Sequence, residues 1–418
     1  MSNAFAVAFS WIFLAALLAA TAARLWLALR QMRHVRAHRD AVPATFAGTI
    51  PLAAHQKAAD YTVAKVKLGM FDALLDAAVL LILTLGGLVQ WLAGQWDRLL
   101  PGQPLWHGAA LIISVFVLQS AIGLPLTLYR IFSVEQRFGF NRMTLKLFVV
   151  DLLKGIALAA VLGIPLLLLV LWLMGAAGAY WWLWVWVVLV GFALFMQLVI
   201  PTFIMPWFNK FSPLQDPRLV ERVEQLLARC GFRSRGLYVM DGSKRSAHGN
   251  AFFAGFGASK RIVLFDTLVE RLEPTEVEAV LAHELGHYKL NHIKKRLAVS
   301  FASSLAGLFI LGLLVEQPWF YAGLGVQMQT LPVALLLFML VASTFGFFLS
   351  PLSSLFSRRH EFEADAYATQ HAQASDLVAA LVKLYKDNAA TLTPDPLHSA
   401  FYDSHPPAAT RIARLRTA

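Results

Sequence analysis

The chain has 418 residues, of which 58% are hydrophobic and only 15% are charged, with a formal net charge of +11. Soluble globular domains are about half apolar and a quarter charged, so this composition excludes an ordinary soluble protein and indicates a membrane protein. The basic residues lie in short segments between apolar stretches, which argues against nucleic-acid binding, and the single cysteine, Cys230, excludes an intrachain disulfide or a cysteine-based zinc site.

Seven apolar stretches are long enough to cross a bilayer core about 30 Å thick, which takes roughly 20 residues per helix. The first is interpreted as a retained helix, because its arginines follow the apolar run, whereas a cleaved signal peptide has them before it. Basic loops alternate with loops poor in lysine and arginine, which predicts an outside N-terminus and a cytoplasmic C-terminus. The predicted spans are residues 4–29, 69–94, 105–132, 147–175, 179–205, 297–315 and 332–356.

Two stretches outside these spans can form soluble structure, and both fall on the predicted cytoplasmic side. We therefore divide the chain into a membrane domain of five helices (1–205), a first soluble segment (206–296), two further membrane helices (297–356) and a C-terminal soluble segment (357–418).

The first soluble segment opens with a predicted helix from Pro217 to Gly231, because Asp216 suits the N-cap, proline the first turn and glycine the end. A second helix is predicted to begin at Pro274 and to carry apolar residues on one stripe. Between the two helices lie short strand-like runs separated by turns, which predict a small antiparallel sheet. These runs are residues 236–240, 250–256 and 261–265.

The second helix contains His283-Glu284-Leu285-Gly286-His287. Histidines four residues apart lie on one helical face, so both rings can reach one zinc ion. Glu284 lies beside the first histidine, where its carboxylate can accept a proton from a water at the metal. The pattern therefore predicts a metallopeptidase site, and the alternative is a polar helix face near the membrane surface.

A catalytic zinc site needs a third protein ligand. Metzincins place a histidine six residues after the second one, but an isoleucine stands there in this chain, and His292 is one residue out of register. The other candidate is Glu361, which shares a helix face with Asp365, while Glu363 points elsewhere. Glu361 would then be the ligand and Asp365 the acceptor for the free N–H of a ligand histidine. A charged helix whose acids pair with neighbouring arginines remains the alternative.

Longer stretches of the chain resemble the type I CAAX prenyl proteases, integral-membrane zinc peptidases that process the C-termini of isoprenylated proteins and the yeast a-factor precursor. The resemblance covers nearly the whole chain, in the family's order. It is carried by VEQRFGFNR (134–142), PWFNKFSPL (206–214), GSKRSAHGNAFFAGF (242–256), KRIVLFDTL (260–268), HELGHYKLNH (283–292), SRRHEFEAD (357–365) and SHPPAATRI (404–412).

The resemblance implies a mainly α-helical membrane protein in which seven helices enclose a water-filled chamber, with a small cytoplasmic α+β part of the zincin type. It implies that Glu361 is the third ligand of Zn²⁺. It also implies that His405 and Arg411 lie near the metal, where they can donate hydrogen bonds to an oxyanion. Asn250 and Ala251 match a strand edge that would pair with an extended peptide substrate.

We therefore expect a zinc metalloendopeptidase that acts on prenylated CAAX-type or similar membrane-associated substrates, with the bilayer and a peptide or protein as its partners. The alternative substrate is unfolded membrane protein, because heat-shock membrane metalloproteases share both motifs, although they have fewer membrane helices. A transporter or zinc-dependent scaffold would not need Glu284. The short segment between LFDTL and HELGH, and a C-terminus without a lysine-based retrieval signal, favour a bacterial inner membrane over the endoplasmic reticulum.

Four charged residues lie inside the predicted spans, near their cytoplasmic ends: Asp72, Asp76, Asp151 and Lys154. Charges at such depths face a cavity, pair with one another or reach the headgroups. The sequence leaves these alternatives open, and we assign none of the four to the site.

Overall fold

The computed structural model describes residues 2–234, 236–254 and 261–417 and is mainly α-helical, as expected. Its long helices leave large apolar side chains such as Trp11, Val161 and Phe203 exposed, which is typical of surfaces that face lipid. In the first half of the chain the helices are α1 (Ser2–Ala37), α2 (Leu52–Leu83), α3 (Leu88–Leu99), α4 (Pro104–Tyr129), α5 (Leu145–Leu158), α6 (Ile164–Ala176), α7 (Trp181–Val199) and α8 (Met205–Phe208).

The second half of the chain adds ten helices, most of them short, to the described structure. They are α9 (Pro217–Arg229), α10 (Asp266–Val269), α11 (Pro274–Lys289), α12 (His292–Leu314), α13 (Pro318–Ala322), α14 (Leu331–Gly346), α15 (Ser350–Thr369), α16 (Ala374–Asp387), α17 (Pro396–Tyr402) and α18 (Ala408–Leu415).

Six helices among the described residues are long and apolar enough to cross a membrane, and a bent pair of helices provides a seventh span. The pair is α2 and α3, which meet at an angle of 51°. The predicted span 69–94 is therefore interrupted, because Gly87 adopts φ +79°, a left-handed conformation that stops a helix. The six straight spans are Asn3–Ala37, Pro104–Glu135, Leu145–Ala176, Gly178–Phe208, His292–Leu314 and Leu331–Thr369.

Two adjoining cavities of ≈ 350 and ≈ 470 Å³ lie among the membrane helices. Both are lined by Arg24, Asp72 and Asp76, so the two aspartates of α2 face cavities. The other two charged residues within the predicted spans have hydrogen-bonded or charged partners in the protein. Asp151 forms an ion pair with Arg245 (Oδ2···Nε 2.7 Å), and the Lys154 ammonium donates to the carbonyl oxygen of Trp207.

The soluble part contains a four-stranded sheet in the order β1-β2-β4-β3. The prediction of a purely antiparallel sheet is wrong, because β2 and β4 run parallel. After β2 the polypeptide crosses to the far edge of the sheet, where it forms β3. The next strand, β4, then fills the position between β2 and β3. The sequence also missed β1, and residues 255 and 256 of the predicted middle strand lie outside the described residues. The strands are β1 (Phe211–Pro213), β2 (Leu237–Met240), β3 (Ala251–Ala254) and β4 (Arg261–Phe265).

Both helices predicted in the first soluble segment are confirmed. The carboxylate of Asp216 accepts a hydrogen bond from the backbone N–H of Arg218 at the start of α9, and Gly231 adopts φ +55° just after its end. Helix α11 begins at Pro274, and Glu273 and Glu276 form a reciprocal capping box there.

Helix α11 packs closely against α15, and this contact positions the candidate site. Gly286 makes the close approach possible, because a Cβ atom placed on it would lie only 3.0 Å from the Cα of Ala364 and 3.1 Å from the Cβ of Tyr367. Ala364 is fully buried. The faces of α11 and α15 that carry His283, His287 and Glu361 therefore meet with almost no side chain between their backbones.

Replacing Gly286 with valine should force α11 and α15 apart, because the added methyl groups have no space against Ala364. Overpacking of this kind costs about 1–3 kcal/mol, so we expect a lower thermal unfolding midpoint of the purified protein in detergent. Gly191→Val is the matched control, since a Cβ at Gly191 in α7 meets nothing within 4 Å. Equal midpoints for the two variants would show that the approach of the helices does not depend on the glycine.

Candidate metal centre

Three side chains from α11 and α15 converge in a buried cluster. The Nε2 atoms of His283 and His287 lie 3.2 Å apart. The carboxylate of Glu361 faces both rings, with Oε2 3.5 Å from the Nε2 of His283 and Oε1 3.2 Å from the Nε2 of His287. All three side chains are at least seven-eighths buried. The structure thus brings the two histidines of one segment to the glutamate of another.

Asp365, one turn after Glu361 on α15, lies behind the ring of His283. Its Oδ1 is 2.9 Å from Nδ1 of that ring. Burial alone lowers the pKa of His283, but the hydrogen bonds to Asp365 and Glu361 outweigh burial and raise the pKa above its ordinary value. Because a carboxylate only accepts hydrogen bonds, Nδ1 must carry a proton, so in the neutral ring the lone pair of Nε2 is directed into the cluster.

Arg411 of α18 completes the charge balance around the two carboxylates. Its Nε and Nη2 contact the two carboxylate oxygens of Asp365 at 2.8 and 2.5 Å, and its Nη1 lies 3.5 Å from Oε2 of Glu361. The guanidinium is 6% exposed, and a charge so deeply buried requires partners of opposite sign. Arg411 therefore fixes Asp365 and offsets part of the negative charge of the cluster.

The cluster has the dimensions and the donor atoms of a metal site. In a tetrahedral zinc site with bonds of 2.0–2.1 Å, ligand atoms are separated by about 3.3 Å, and the separations here are 3.2 to 3.5 Å. Oε2 of Glu361 is buried and has no hydrogen-bond partner among the described residues, which leaves a charged oxygen for a cation to satisfy. Two imidazoles and one carboxylate also form a ligand set that catalytic zinc sites use.

The alternative interpretation, in which α15 pairs its acids with its own arginines, does not describe Glu361 or Asp365. Arg359 pairs with Glu363 at 3.1 Å, on a different face. Arg358 donates to the backbone carbonyl of Ser399. Glu361 and Asp365 are therefore paired with side chains of α11 and α18.

Glu284 lies half-buried on α11 beside His283, and no hydrogen bond or ion pair engages its carboxylate among the described residues. His405 lies on the open side of the cluster, with Nε2 3.4 Å from Oε1 of Glu361 and a side chain that is 61% exposed. His405 therefore borders the cluster, and Glu284 follows His283 directly on α11.

Asn250 and Ala251 lie at the start of β3, the strand at one edge of the sheet. The carbonyl of Asn250 accepts a hydrogen bond from the N–H of Phe265 in β4, so the backbone groups of the next residue, Ala251, point away from β4 towards the sheet edge. There the side-chain oxygen of Asn250 accepts the N–H of Ala251 at 2.8 Å. The structure thus places both residues on a strand edge, as predicted.

Sequence reasoning missed one contact of the cluster. Nδ1 of His287 lies 3.0 Å from Nδ1 of His292, a residue that the sequence had set aside as one position out of register. Asn291 adopts φ +57° and turns the chain between α11 and α12, which brings His292 back against the preceding helix. An asparagine after a helix end is the signal that was available, because asparagine tolerates this left-handed conformation.

Two family models match the chain. The CAAX prenyl protease N-terminal model, with five membrane helices, matches residues 31–210, and the model of peptidase family M48 matches residues 213–418. The second match contains every residue of the cluster described above.

Individual proteins match over most of their length. The CAAX prenyl protease 1 homolog of Arabidopsis thaliana is 32% identical over 403 residues, which is 93% of each chain. CAAX prenyl protease 1 of Saccharomyces cerevisiae is 37% identical over 314 residues, covering 71% of this chain and 69% of the yeast protein. The crystal structure of S. mikatae Ste24p is similar with a TM-score of 0.90 and 31% identity, and the match covers 97% of this chain and 98% of that one.

Removing the carboxylate at position 361 should abolish stoichiometric metal binding, because two imidazoles alone leave the site one ligand short. For Glu361→Ala we expect the metal content, measured by elemental mass spectrometry of the purified protein, to fall below about one tenth of the wild-type value. Glu316→Ala removes a glutamate just after α12, far along the chain from the cluster, and should keep wild-type content. Full metal content in Glu361→Ala would remove this residue from the ligand set.

Proposed function

The chain belongs to peptidase family M48, in its CAAX prenyl protease branch, and on this premise we propose a zinc-dependent endopeptidase whose metal ligands are His283, His287 and Glu361. It is an integral, multi-pass membrane metallopeptidase. The observation that carries the proposed ligand set is the convergence of two Nε2 atoms and one carboxylate at 3.2 to 3.5 Å in a buried cluster.

When bound, a zinc ion at this cluster supplies a Lewis acid and lowers the pKa of a water molecule towards about 7. Glu284 accepts the proton that the attacking water loses and returns it to the amine nitrogen as the carbon–nitrogen bond of the peptide breaks. Its carboxylate is free for this role, since no described side chain binds it.

His405 and Arg411 stabilise the negative charge that develops on the carbonyl oxygen during attack. His405 is the more accessible donor, because its ring is largely exposed and lies 3.4 Å from Glu361. In Arg411 only Nη1 is free of the contacts to Asp365, so this nitrogen is the part of the guanidinium that supports the oxyanion.

The substrate binds in an extended conformation along β3. Its backbone pairs with the outward-facing groups of Ala251, and Asn250 gives up its hydrogen bond to the Ala251 N–H as the peptide arrives. The edge lies next to α11, the helix that carries Glu284, so the scissile bond of a peptide on β3 is directed towards the cluster.

The substrate class is a C-terminal peptide of the CAAX type, as the names of the matching proteins indicate. The cavities lined by Arg24, Asp72 and Asp76 belong to a hydrated chamber through which such a membrane-bound peptide reaches the site. The alternation of basic loops supports a cytoplasmic position for residues 206–296 and 357–418, the two segments that build the site. The short segment between LFDTL and HELGH favours a bacterial inner membrane.

Glu284→Gln should abolish turnover and leave the metal bound, because the amide cannot accept a proton yet keeps the size of the side chain. We expect kcat to fall by at least about 100-fold in a peptide-cleavage assay, with wild-type metal content by elemental mass spectrometry. Gln225→Glu exchanges the same two groups, an amide and a carboxylate, at an exposed position on α9. It is the control for losses of activity during purification. Wild-type turnover in Glu284→Gln would exclude this residue as the proton acceptor.

The purified enzyme should prefer a prenylated CAAX peptide to the same peptide without the lipid. An alkyl chain contributes about 0.8 kcal/mol per buried CH₂ to membrane partitioning, which concentrates the lipidated substrate in the bilayer. We expect kcat/KM to be at least about tenfold higher for the prenylated peptide in liposomes, with Glu284→Gln as the blank for each substrate. A preference for an unfolded membrane protein would assign the enzyme to quality control instead.

A further inference from the structure

A second group of polar side chains adjoins the metal cluster and is not used by the mechanism above. It consists of His292, His360 and Glu363, which lie at the junction of α12 and α15. We propose that His292 is a positioning residue, which holds the ligand His287 in the tautomer and orientation that metal binding requires and is itself held by Glu363. This inference rests on the proposed metal site and extends it outward by two residues.

The contacts form one continuous series of hydrogen bonds. Nδ1 of His287 lies 3.0 Å from Nδ1 of His292, and Nε2 of His292 lies 2.9 Å from Oε2 of Glu363. The other carboxylate oxygen of Glu363 accepts from Nε of Arg359 at 3.1 Å. The series thus runs from the buried His287 to Arg359 at the surface, whose side chain is 77% exposed.

The hydrogen-bonding capacity of each group fixes where the protons are. A carboxylate is an acceptor only, so Nε2 of His292 carries the proton that Glu363 accepts. The Nδ1 of the neutral His292 ring is then bare and accepts the proton from Nδ1 of His287. His287 is left with a lone pair on Nε2, the atom that faces Glu361 at 3.2 Å. The series of hydrogen bonds therefore selects the tautomer of His287 that can bind a metal.

The surroundings of His292 hold its ring in this orientation. The ring is fully buried, and His360 stacks on it with centroids 4.1 Å apart and an interplanar angle of 12°. The left-handed turn at Asn291 sets the start of α12, so the backbone of His292 is fixed as well. A ring that cannot rotate presents its Nδ1 to His287 without a further loss of conformational entropy.

Both ligand histidines then have an acceptor behind them, but of different kinds. His283 donates directly to Asp365, which Arg411 holds. His287 donates to the neutral ring of His292, which in turn donates to Glu363. This carboxylate therefore acts on His287 through one intervening residue. Since acceptors of this kind orient metal-binding histidines and raise their basicity, loss of either one weakens metal binding.

The alternative role for the same three side chains is to bind a second metal ion, since the buried Nδ1 of His360 has no hydrogen-bond partner in the described part of the chain. Binding through Nε2 of His292 would move its proton to Nδ1, where it meets the proton on Nδ1 of His287. His287 would then have to carry its proton on Nε2 and lose its place at the first site. With neutral rings the two sites exclude one another, so the geometry points to the positioning role.

The test compares His292→Phe, which keeps a buried aromatic ring but has no nitrogen, with Glu363→Ala, which removes a carboxylate that is one-third exposed. We expect the zinc dissociation constant, measured by chelator competition on the full-length protein in detergent, to rise about 10- to 100-fold in His292→Phe. Glu363→Ala should change it in the same direction by a smaller factor. The visible absorption bands of the cobalt-substituted protein should shift in both variants.

His371→Ala is the matched control, because it removes a partly buried histidine that follows α15 away from both clusters and should leave affinity and spectrum unchanged. His292→Gln, whose side-chain oxygen can accept from His287, should recover part of the affinity. Affinity within twofold of wild type and an unshifted cobalt spectrum in folded Glu363→Ala and His292→Phe would overturn the proposal. So would a second zinc in the wild type that His292→Phe loses. A wild type that binds no zinc would instead refute the proposed metal site itself.

Discussion

The architecture of the site depends on the burial of one carboxylate, Glu361, between two imidazole rings. A carboxylate removed from water costs several kcal/mol unless positive or polar groups compensate it, and here the compensation comes from separate parts of the chain. His283 and His287 approach from α11, Arg411 from α18 and His405 from the loop before it. These contacts tie α11, α18 and the loop before α18 to α15, so the same charge contributes both to the fold of the soluble part and to the geometry of the site.

The site is joined rigidly to the membrane. Helix α12, which begins at His292 only five residues after His287, continues as a membrane span, and α15 follows α14 within one continuous apolar segment, Leu331–Thr369. Glu361 lies on the α15 part of the span Leu331–Thr369, whereas His283 and His287 lie on α11, which is joined to the span α12 through residues 290 and 291. A displacement of α11 relative to α15 would change the distances between these three side chains, because the two backbones approach closely at Gly286 and Ala364.

Much of this could be predicted from the sequence, for a physical reason in each case. Hydropathy identifies the spans because a bilayer requires long apolar helices, and the His-Glu-x-x-His spacing places two rings on one face. The parallel pairing of β2 with β4 could not be predicted, since strand order depends on where the connections travel. The position of His292 depends on one left-handed residue, Asn291, and a periodic pattern carries no information about such a turn. The proposal of Glu361 as the third ligand needed the resemblance, because spacing alone left the charged-helix alternative open.

The hydrogen bond from the Ala251 N–H to the side chain of Asn250 has a consequence for the protein before any substrate arrives. An unpaired strand edge is a template on which other extended chains, including copies of the same protein, can aggregate. Here the outward donor is occupied by the side chain of the preceding residue, Asn250, which an added strand would have to displace at a cost in free energy. The edge is therefore protected against nonspecific pairing with other extended chains. Only a chain that gains contacts beyond its backbone hydrogen bonds can displace the Asn250 side chain from the Ala251 N–H.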